Sequence, residues 1–291
     1  GDLQRLYDVH ATRWLCDAHP GYTTTRWVQG TGRPHETVLH HLAHASAIVT
    51  EHAVDEAAIV FAWDGVGYGG DGTLWGGETF VGRPGRWERR ASLRSFRLPG
   101  GDKAGRSPWR SAAALCWEAG LECPVQVPDP IVRAAWERGL NAPRSSAAGR
   151  LFDAVSALVL GVTETSFEGQ GPMWLEAQAR IDGGFPSLPI APDPEGLARI
   201  DWAPLLEWSM DTGRTPEARA GAAHAALADA IERVARQERE RCGSAVVGLT
   251  GGVFQNRLLA ELAARRLEAA GFRVLLPARI PCNDGGLSYG Q

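Results

Sequence analysis

The sequence has no CxxC pair, and its five cysteines (Cys16, Cys116, Cys123, Cys242, Cys282) are odd in number and widely scattered. That spacing argues against a disulfide framework and a zinc finger and fits reduced structural thiols. No apolar run approaches the roughly 20 residues that a bilayer-spanning helix needs, and no signal peptide opens the chain. A cytoplasmic location without a membrane partner is therefore expected. Basic charge is not in excess either: the formal net charge is -4, with acids and bases mixed along the chain, so nucleic acid finds no electrostatic footprint. Internal repeats and low-complexity linkers are missing. What remains is 291 residues, 44% hydrophobic, enough for one large or two modest cores. Histidine is unevenly placed, with seven of its eight copies before position 53.

Arg13 to Asp17 reads as a strand ended by the turn His19-Pro20-Gly21. Residues 36–52 lack Gly and Pro and carry Leu39, Leu42, Ala43 and Val49 at helical spacing, which predicts a helix. The run AAIVFAWD (57–64) predicts a buried strand. The glycine-crowded GVGYGGDG and the strand-like TLWGGETFVG after it complete an antiparallel hairpin. Ser107-Pro108 and Asp129-Pro130 each place an N-cap residue before a Pro at the first helical position. Ser145 or Ser146 caps a helix through GRLFDAVSALVL that stops at Gly161. Thr215-Pro216 opens a long helix with Leu227, Ile231 and Val234 on one stripe. The last part alternates: strand AVVGLT, Gly251-Gly252, helix VFQNRLLAELAARRLEAAG, strand FRVLLPA, loop IPCNDGG. Residues 182–213 show no periodicity.

Gly65, Gly67 and Gly70 satisfy GxGxxG, but a strand follows where the dinucleotide fold needs a helix, so that reading is rejected. Asp64 ends a buried strand, where a carboxylate is costly to desolvate unless a cation or donor meets it. The alternative is a plain glycine-rich hairpin. His40 and His44, four apart on one helical face, can share a metal ion, against the bland reading of two surface histidines. His41 points elsewhere and is a poor third ligand. Asp64 and Asp284, each beside glycines, are candidates to complete the shell; Cys282 is an alternative ligand or a packing residue. Asn256, in the first turn after Gly251-Gly252, lies where a helix N-terminus and freed backbone favour a nucleotide, although such a pair also merely tightens a βα turn. Asp153 reads as a partner for a ribose diol or as a solvent-facing helix residue. His224, on the apolar side of the long helix, reads as a satisfied core histidine.

Taken together, His40-His41-Leu42-Ala43-His44, AWDGVGYGGDGTLWGGE (62–78), LPGGDKAGRSPWR (98–110), GRLFDAVSALVLG (149–161), FEGQ (167–170), LTGGVFQNRLL (249–259) and PCNDGGLSYGQ (281–291) resemble the HypF carbamoyltransferases over nearly the whole chain. The resemblance implies an α/β fold of the actin-like ASKHA (Kae1-like) type, two subdomains flanking a nucleotide and metal cleft. Residues 1–140 are expected to form the first subdomain, lacking its first hairpin and carrying a helical insertion. Residues 141–291 are expected to form the second, cut short in its last helix. Iron or zinc would be held by His40, His44, Asp64 and Asp284, with Asp64 and His41 as candidate catalytic residues. ATP or carbamoyladenylate, with AMP as product, would lie against Gly65, Gly67, Gly149, Asp153, Gly251, Gly252 and Asn256. The acceptor implied is the C-terminal cysteine of HypE, on the route to the cyanide ligands of the nickel–iron hydrogenase centre. Acylphosphatase, zinc-finger and YrdC-like domains are expected upstream in a longer chain. Competing readings are an O-carbamoyltransferase or tRNA threonylcarbamoyl-transfer enzyme of the same fold, which the acidic balance disfavours for tRNA, and a non-catalytic docking platform for HypE.

Overall fold

The structure, a computed structural model, describes residues 2–291, and of residues 2, 3 and 102 the backbone alone. The chain opens with α1 (Asp2–Leu6), β1 (Trp14–Asp17), α2 (Thr23–Gly30) and β2 (His35–Val38), the two strands pairing in parallel. α3 (His40–Glu51) leads into the central strand β3 (Ala58–Tyr68), which turns back through β4 (Leu74–Arg83) and β5 (Arg86–Leu93). β6 (Phe96–Arg97) and β7 (Arg144–Ser145) pair with each other, and α4 (Pro108–Ala119) and α5 (Ile131–Glu137) lie between them in the chain. Next come α6 (Ala148–Leu160), α7 (Gln170–Gln178), the hairpin β8 (Ile190–Pro192) and β9 (Ala198–Ile200), and α8 (Ala203–Met210). The long α9 (Pro216–Cys242), β10 (Val246–Thr250), α10 (Arg257–Ala269), β11 (Arg273–Leu275) and α11 (Leu287–Gly290) complete the order. Among the described residues no helix is long and apolar enough to cross a membrane.

The main sheet runs β11-β10-β3-β4-β5-β9-β8, with β10 and β11 parallel to β3, β4 antiparallel to β3 and β5 antiparallel to β4. β3 is buried on both faces, as its unbroken apolar run requires. Ile59, Phe61 and Trp63 point into the larger core with α6 and α9, while Ala58, Val60 and Ala62 point into a smaller core with α3. Period-two alternation thus serves two cores at once.

β3 to β5 and β8 to β11, on either side of residue 140, share one sheet. The segment around 140 is an excursion between the paired strands β6 and β7, and pairing between distant strands leaves no mark on local composition. Several expectations need correction. The helix expected over 36–52 starts at His40: residues 35–38 pair with β1, and Leu39 stays extended as its N-cap. Ser145 and Ser146 do not cap α6, whose N-cap is Ala147; Ser145 lies in β7, and the Ser146 hydroxyl donates to the buried Glu78 carboxylate. Pro130 sits at the cap of α5, where Asp129 Oδ1 accepts from Ile131 N at 2.9 Å. Residues 182–213, without periodicity, hold β8, β9 and α8. The hairpin, the Gly161 stop and the Thr215 cap are found as expected.

Gly251 has φ +95°, and a Cβ there would lie 2.2 Å from the Trp63 carbonyl oxygen. Gly251→Ala is expected to destabilise the chain by about 2 kcal/mol or more, through left-handed strain and a backbone clash. Gly30→Ala, with open space around its Cβ, should be close to neutral. Urea unfolding of both variants checks the contrast.

Candidate metal centre and its cleft

Three distant segments meet at the first turn of α3. His40 is its first residue, and His44 follows one turn later on the same face. Asp64 lies where the β3–β4 register shifts between Trp63 and Gly67, so residues 64–66 leave the ladder and the Asp64 carboxylate meets the α3 histidines. Asp284 comes from a single 3-10 turn near the end of the chain. Its loop is fastened to α3: Glu51, at the far end of that helix, accepts from the backbone N–H groups of Ala278, Arg279 and Ile280. The Cys282 carbonyl accepts from Gly251 N at 2.9 Å.

Ligand atoms of His40, His44, Asp64 and Asp284 all lie within 4.8 Å of one another. His40 Nε2 is 3.3 Å from Asp64 Oδ2 and 3.4 Å from Asp284 Oδ1, while His44 Nε2 is 3.0 and 3.7 Å from the same atoms. Nitrogen and oxygen ligands at about 2.0–2.1 Å from one tetrahedral ion stand about 3.4 Å apart. The spacing therefore fits one cation. A second observation agrees: His44 Nε2 is buried and, although close to Asp64, has no aligned hydrogen-bond partner. An ion would use that lone pair.

Asp17, at the end of β1, takes the other side of His40, with Nδ1 3.3 Å from Asp17 Oδ2. Such a carboxylate orients a metal-ligating ring and raises its basicity. The sequence reading missed it, although its place just before a His-Pro-Gly turn beside the histidine-rich region was a signal. Burial lowers the His40 pKa, but contacts to Asp17, Asp284 and Asp64 outweigh it and push the value up to about 12. His44 is raised by the same balance, burial opposing and Asp284 and Asp64 prevailing. Burial alone would raise Asp64, yet its close contacts with the His40 and His44 rings hold it well below the usual carboxylate range. Contacts to the same two histidines depress Asp284.

The structure does not bring His41 to the cleft. Its ring is fully buried, 6.2 Å from that of Trp75, and burial followed by the neighbouring His40 keeps it neutral. Gly67 lies beneath it, since a Cβ there would stand 2.5 Å from His41 Cε1. Gly67 thus admits the histidines rather than facing open space. Gly251 likewise packs against Trp63.

Beside His40, His44, Asp64 and Asp284 runs a cleft of about 1000 Å³, whose lining includes Tyr22, Asp64, Asp284, Gly252, Gln255 and Asn256. Gly65 and Gly149 form its floor, so close together that a Cβ on Gly149 would be 2.8 Å from Gly65 Cα. Asn256 is the N-cap of α10 rather than a residue of its first turn, its Oδ1 accepting from Leu259 N at 2.9 Å.

Asp153 is neither solvent-facing nor on the cleft wall, which at this point consists of Arg150 and Phe152. Arg150 Nε stands 3.1 Å from Asp153 Oδ2 without hydrogen-bond alignment, and Arg150 Nη2 donates to Glu168 at 2.8 Å. Glu168 belongs to the FEGQ run and was not singled out from sequence. Burial raises the Asp153 carboxyl to about 7, against the opposing pull of Arg150. His224 is the satisfied core histidine expected, buried and bonded to Ala220 O and Asn256 Nδ2.

A family described as "Carbamoyltransferase, Kae1-like Domain, second subdomain" matches residues 60–291, and one described as "HypF Kae1-like domain" matches residues 1–51. Carbamoyltransferase HypF2 of Cupriavidus necator is 37% identical over 99% of this chain and 40% of its own length. Carbamoyltransferase HypF of Rhodobacter capsulatus is 39% identical over 100% of this chain and 40% of its own. The chain thus spans about 40% of the length of these curated relatives. Full-length HypF, solved in its phosphate- and nucleotide-bound form, superposes with a TM-score of 0.92 at 31% identity, over 99% of this chain and 47% of that one. The actin-like, Kae1-type architecture expected from the motifs is the one found.

Two outcomes are expected. His44→Ala should abolish stoichiometric iron or zinc binding with the fold retained, and Asp17→Asn should weaken metal affinity about 10- to 100-fold; metal analysis and circular dichroism check both. Asp153, raised from 3.8 to about 7, keeps its proton in the folded chain where the unfolded chain has released it. Its contribution to stability is full below about pH 3.8 and is lost as pH rises towards 7. Asp153→Asn should therefore gain stability over the parent at pH 8, the gap narrowing as the pH falls to 4, as read by urea unfolding across that range.

Proposed function

The chain belongs to the HypF carbamoyltransferase family, and from that premise we propose that it passes a carbamoyl group from carbamoyladenylate to the C-terminal cysteine of HypE. The product feeds the cyanide ligands of the nickel–iron hydrogenase centre, in the cytoplasm. The observation that carries this reading is one continuous cleft whose lining joins Asp64 and Asp284 to Gly252 and Asn256. Its size suits a nucleotide, and a relative solved with phosphate and nucleotide bound supports that half of the reading.

The nucleotide would lie over Gly65, Gly149 and Gly252, where side chains are absent and backbone can approach it closely. Arg150 brings a buried guanidinium to the same wall, suited to a phosphate oxygen. Glu168, paired with Arg150 at 2.8 Å, keeps that cation compensated. His40, His44, Asp64 and Asp284 would hold iron or zinc, which when bound supplies Lewis-acid polarisation of the carbonyl and phosphate oxygens. The acceptor thiolate attacks the carbamoyl carbon; the carbon–sulfur bond forms, the bond from that carbon to the phosphate oxygen breaks, and AMP leaves with the electron pair.

Transfer is direct, with no carbamoyl thioester on this chain. Cys282 is the cysteine beside the metal loop, and burial pushes its thiol pKa up, with Asp64 adding to the effect. A thiol held protonated is a poor nucleophile. Mixing the chain with preformed carbamoyladenylate and HypE should yield carbamoylated HypE. Its absence, with both components bound, would leave a docking platform instead. Cys282→Ser should retain most transfer and Asp284→Ala should lose it together with the metal. Intact-mass spectrometry during turnover checks the mechanism, since a carbamoyl adduct that forms and decays on this chain at the catalytic rate contradicts it.

A further inference from the structure

His224 of α9 is fully buried, far in sequence from the metal ligands, and plays no part in the chemistry above. Its contacts nevertheless end on the cleft. Nδ1 lies 2.8 Å from the carbonyl oxygen of Ala220, a group that only accepts, so Nδ1 carries the proton. Nε2 is then the acceptor and takes a hydrogen bond from Asn256 Nδ2 at 2.8 Å. Asn256 is constrained from its other side as well: its Oδ1 accepts from Leu259 N, a group that only donates. Both neighbours therefore demand the same amide orientation, with oxygen towards α10 and nitrogen towards α9. Burial holds the imidazole neutral, with a pKa lowered to about 4, so this donor pattern persists across ordinary pH.

One Nδ2 hydrogen of Asn256 remains unassigned, and Asn256 lines the cleft. The same imidazole also packs 5.3 Å from the ring of Phe152, which lines the cleft from α6. We propose that His224 is a positioning residue that locks the Asn256 amide so that its remaining N–H is presented to a hydrogen-bond acceptor on the bound nucleotide. Without that lock only the Leu259 N–H still opposes a flip of the amide, whose nitrogen and oxygen differ little in shape. A flipped amide would lose the α10 cap and offer the nucleotide an acceptor in place of a donor. This inference rests on the nucleotide reading of the cleft.

The test is calorimetric titration of the metal-loaded chain with AMP. His224→Leu, which accepts nothing from Asn256, is expected to weaken AMP binding about tenfold, with metal content and melting temperature close to those of the parent. His224→Met serves if His224→Leu does not fold. His224→Gln can accept from Asn256 through its side-chain oxygen and is expected to recover most of the affinity. In an Asn256→Ala background, His224→Leu should bring no further loss, because the lock then has nothing to hold. Undiminished AMP binding by His224→Leu, or a full further loss in the Asn256→Ala background, overturns the positioning role while leaving the nucleotide reading intact. Failure of the parent chain to bind AMP overturns the nucleotide reading, and this inference with it.

Discussion

A carboxylate at the end of a doubly buried strand is the constraint around which this molecule is arranged. Asp64 is 9% exposed, and moving such a charge out of water costs several kcal/mol unless compensation lies within contact distance. Two imidazoles on the first turn of α3 supply it, and Asp17 and Asp284 in turn balance the imidazoles. The balance works only if α3 stays where it is. That explains the attention the fold gives to this helix: Ile48 packs against Gly248 of β10, α11 lies so close that a Cβ on Gly290 would clash with the Ala43 carbonyl, and Glu51 grips the loop that leads to Asp284. One helix thus presents two imidazoles at its start and restrains the Asp284 loop from its end.

The cleft beside this centre is dimensioned by backbone rather than by side chains. Gly149 meets Gly65, Gly251 meets Trp63, and Gly67 meets the His40 and His41 rings, each at a distance that a methyl group would not allow. Backbone contacts of this kind hold α6, β3 and the segment before α10 at fixed spacing, because close-packed interiors transmit displacement rather than absorb it. A binding surface built this way is largely pre-formed, so that a bound molecule meets groups already in place.

Polar groups behind the cleft walls form a supporting layer. Asp153 sits behind Arg150, His224 behind Asn256, and Asp17 behind His40. In each case a buried group sets the charge or orientation of the group facing the ligand. Part of the sensitivity to mutation should therefore lie one layer beneath the surface that touches substrate.

Much of this was legible from residues alone. Unbroken apolar runs and the turn glycines placed β3, β4 and β10, because burial on both faces of a strand writes itself into composition. The HxxxH spacing and two glycine-flanked aspartates pointed to four side chains that the fold does bring within 4.8 Å of one another, because a helix repeat puts i and i+4 on one face whatever surrounds it. The strand order, the burial of His41 and the place of Asp153 were not legible. The order depends on pairing between strands as far apart as β3 and β10, and pairing leaves no local signature. His41 carries the same residue type as its neighbours, and only the packing of Trp75 and Gly67 decides that it is sealed from the cleft. Asp153 lies on a helix buried on nearly every side, where periodicity does not say which face meets solvent. Sequence by itself determined which residue types stand at which local spacing, and hence the chemistry on offer. Tertiary structure alone decided which of those groups face one another, because burial and distance are properties of segments brought together from opposite ends of the chain.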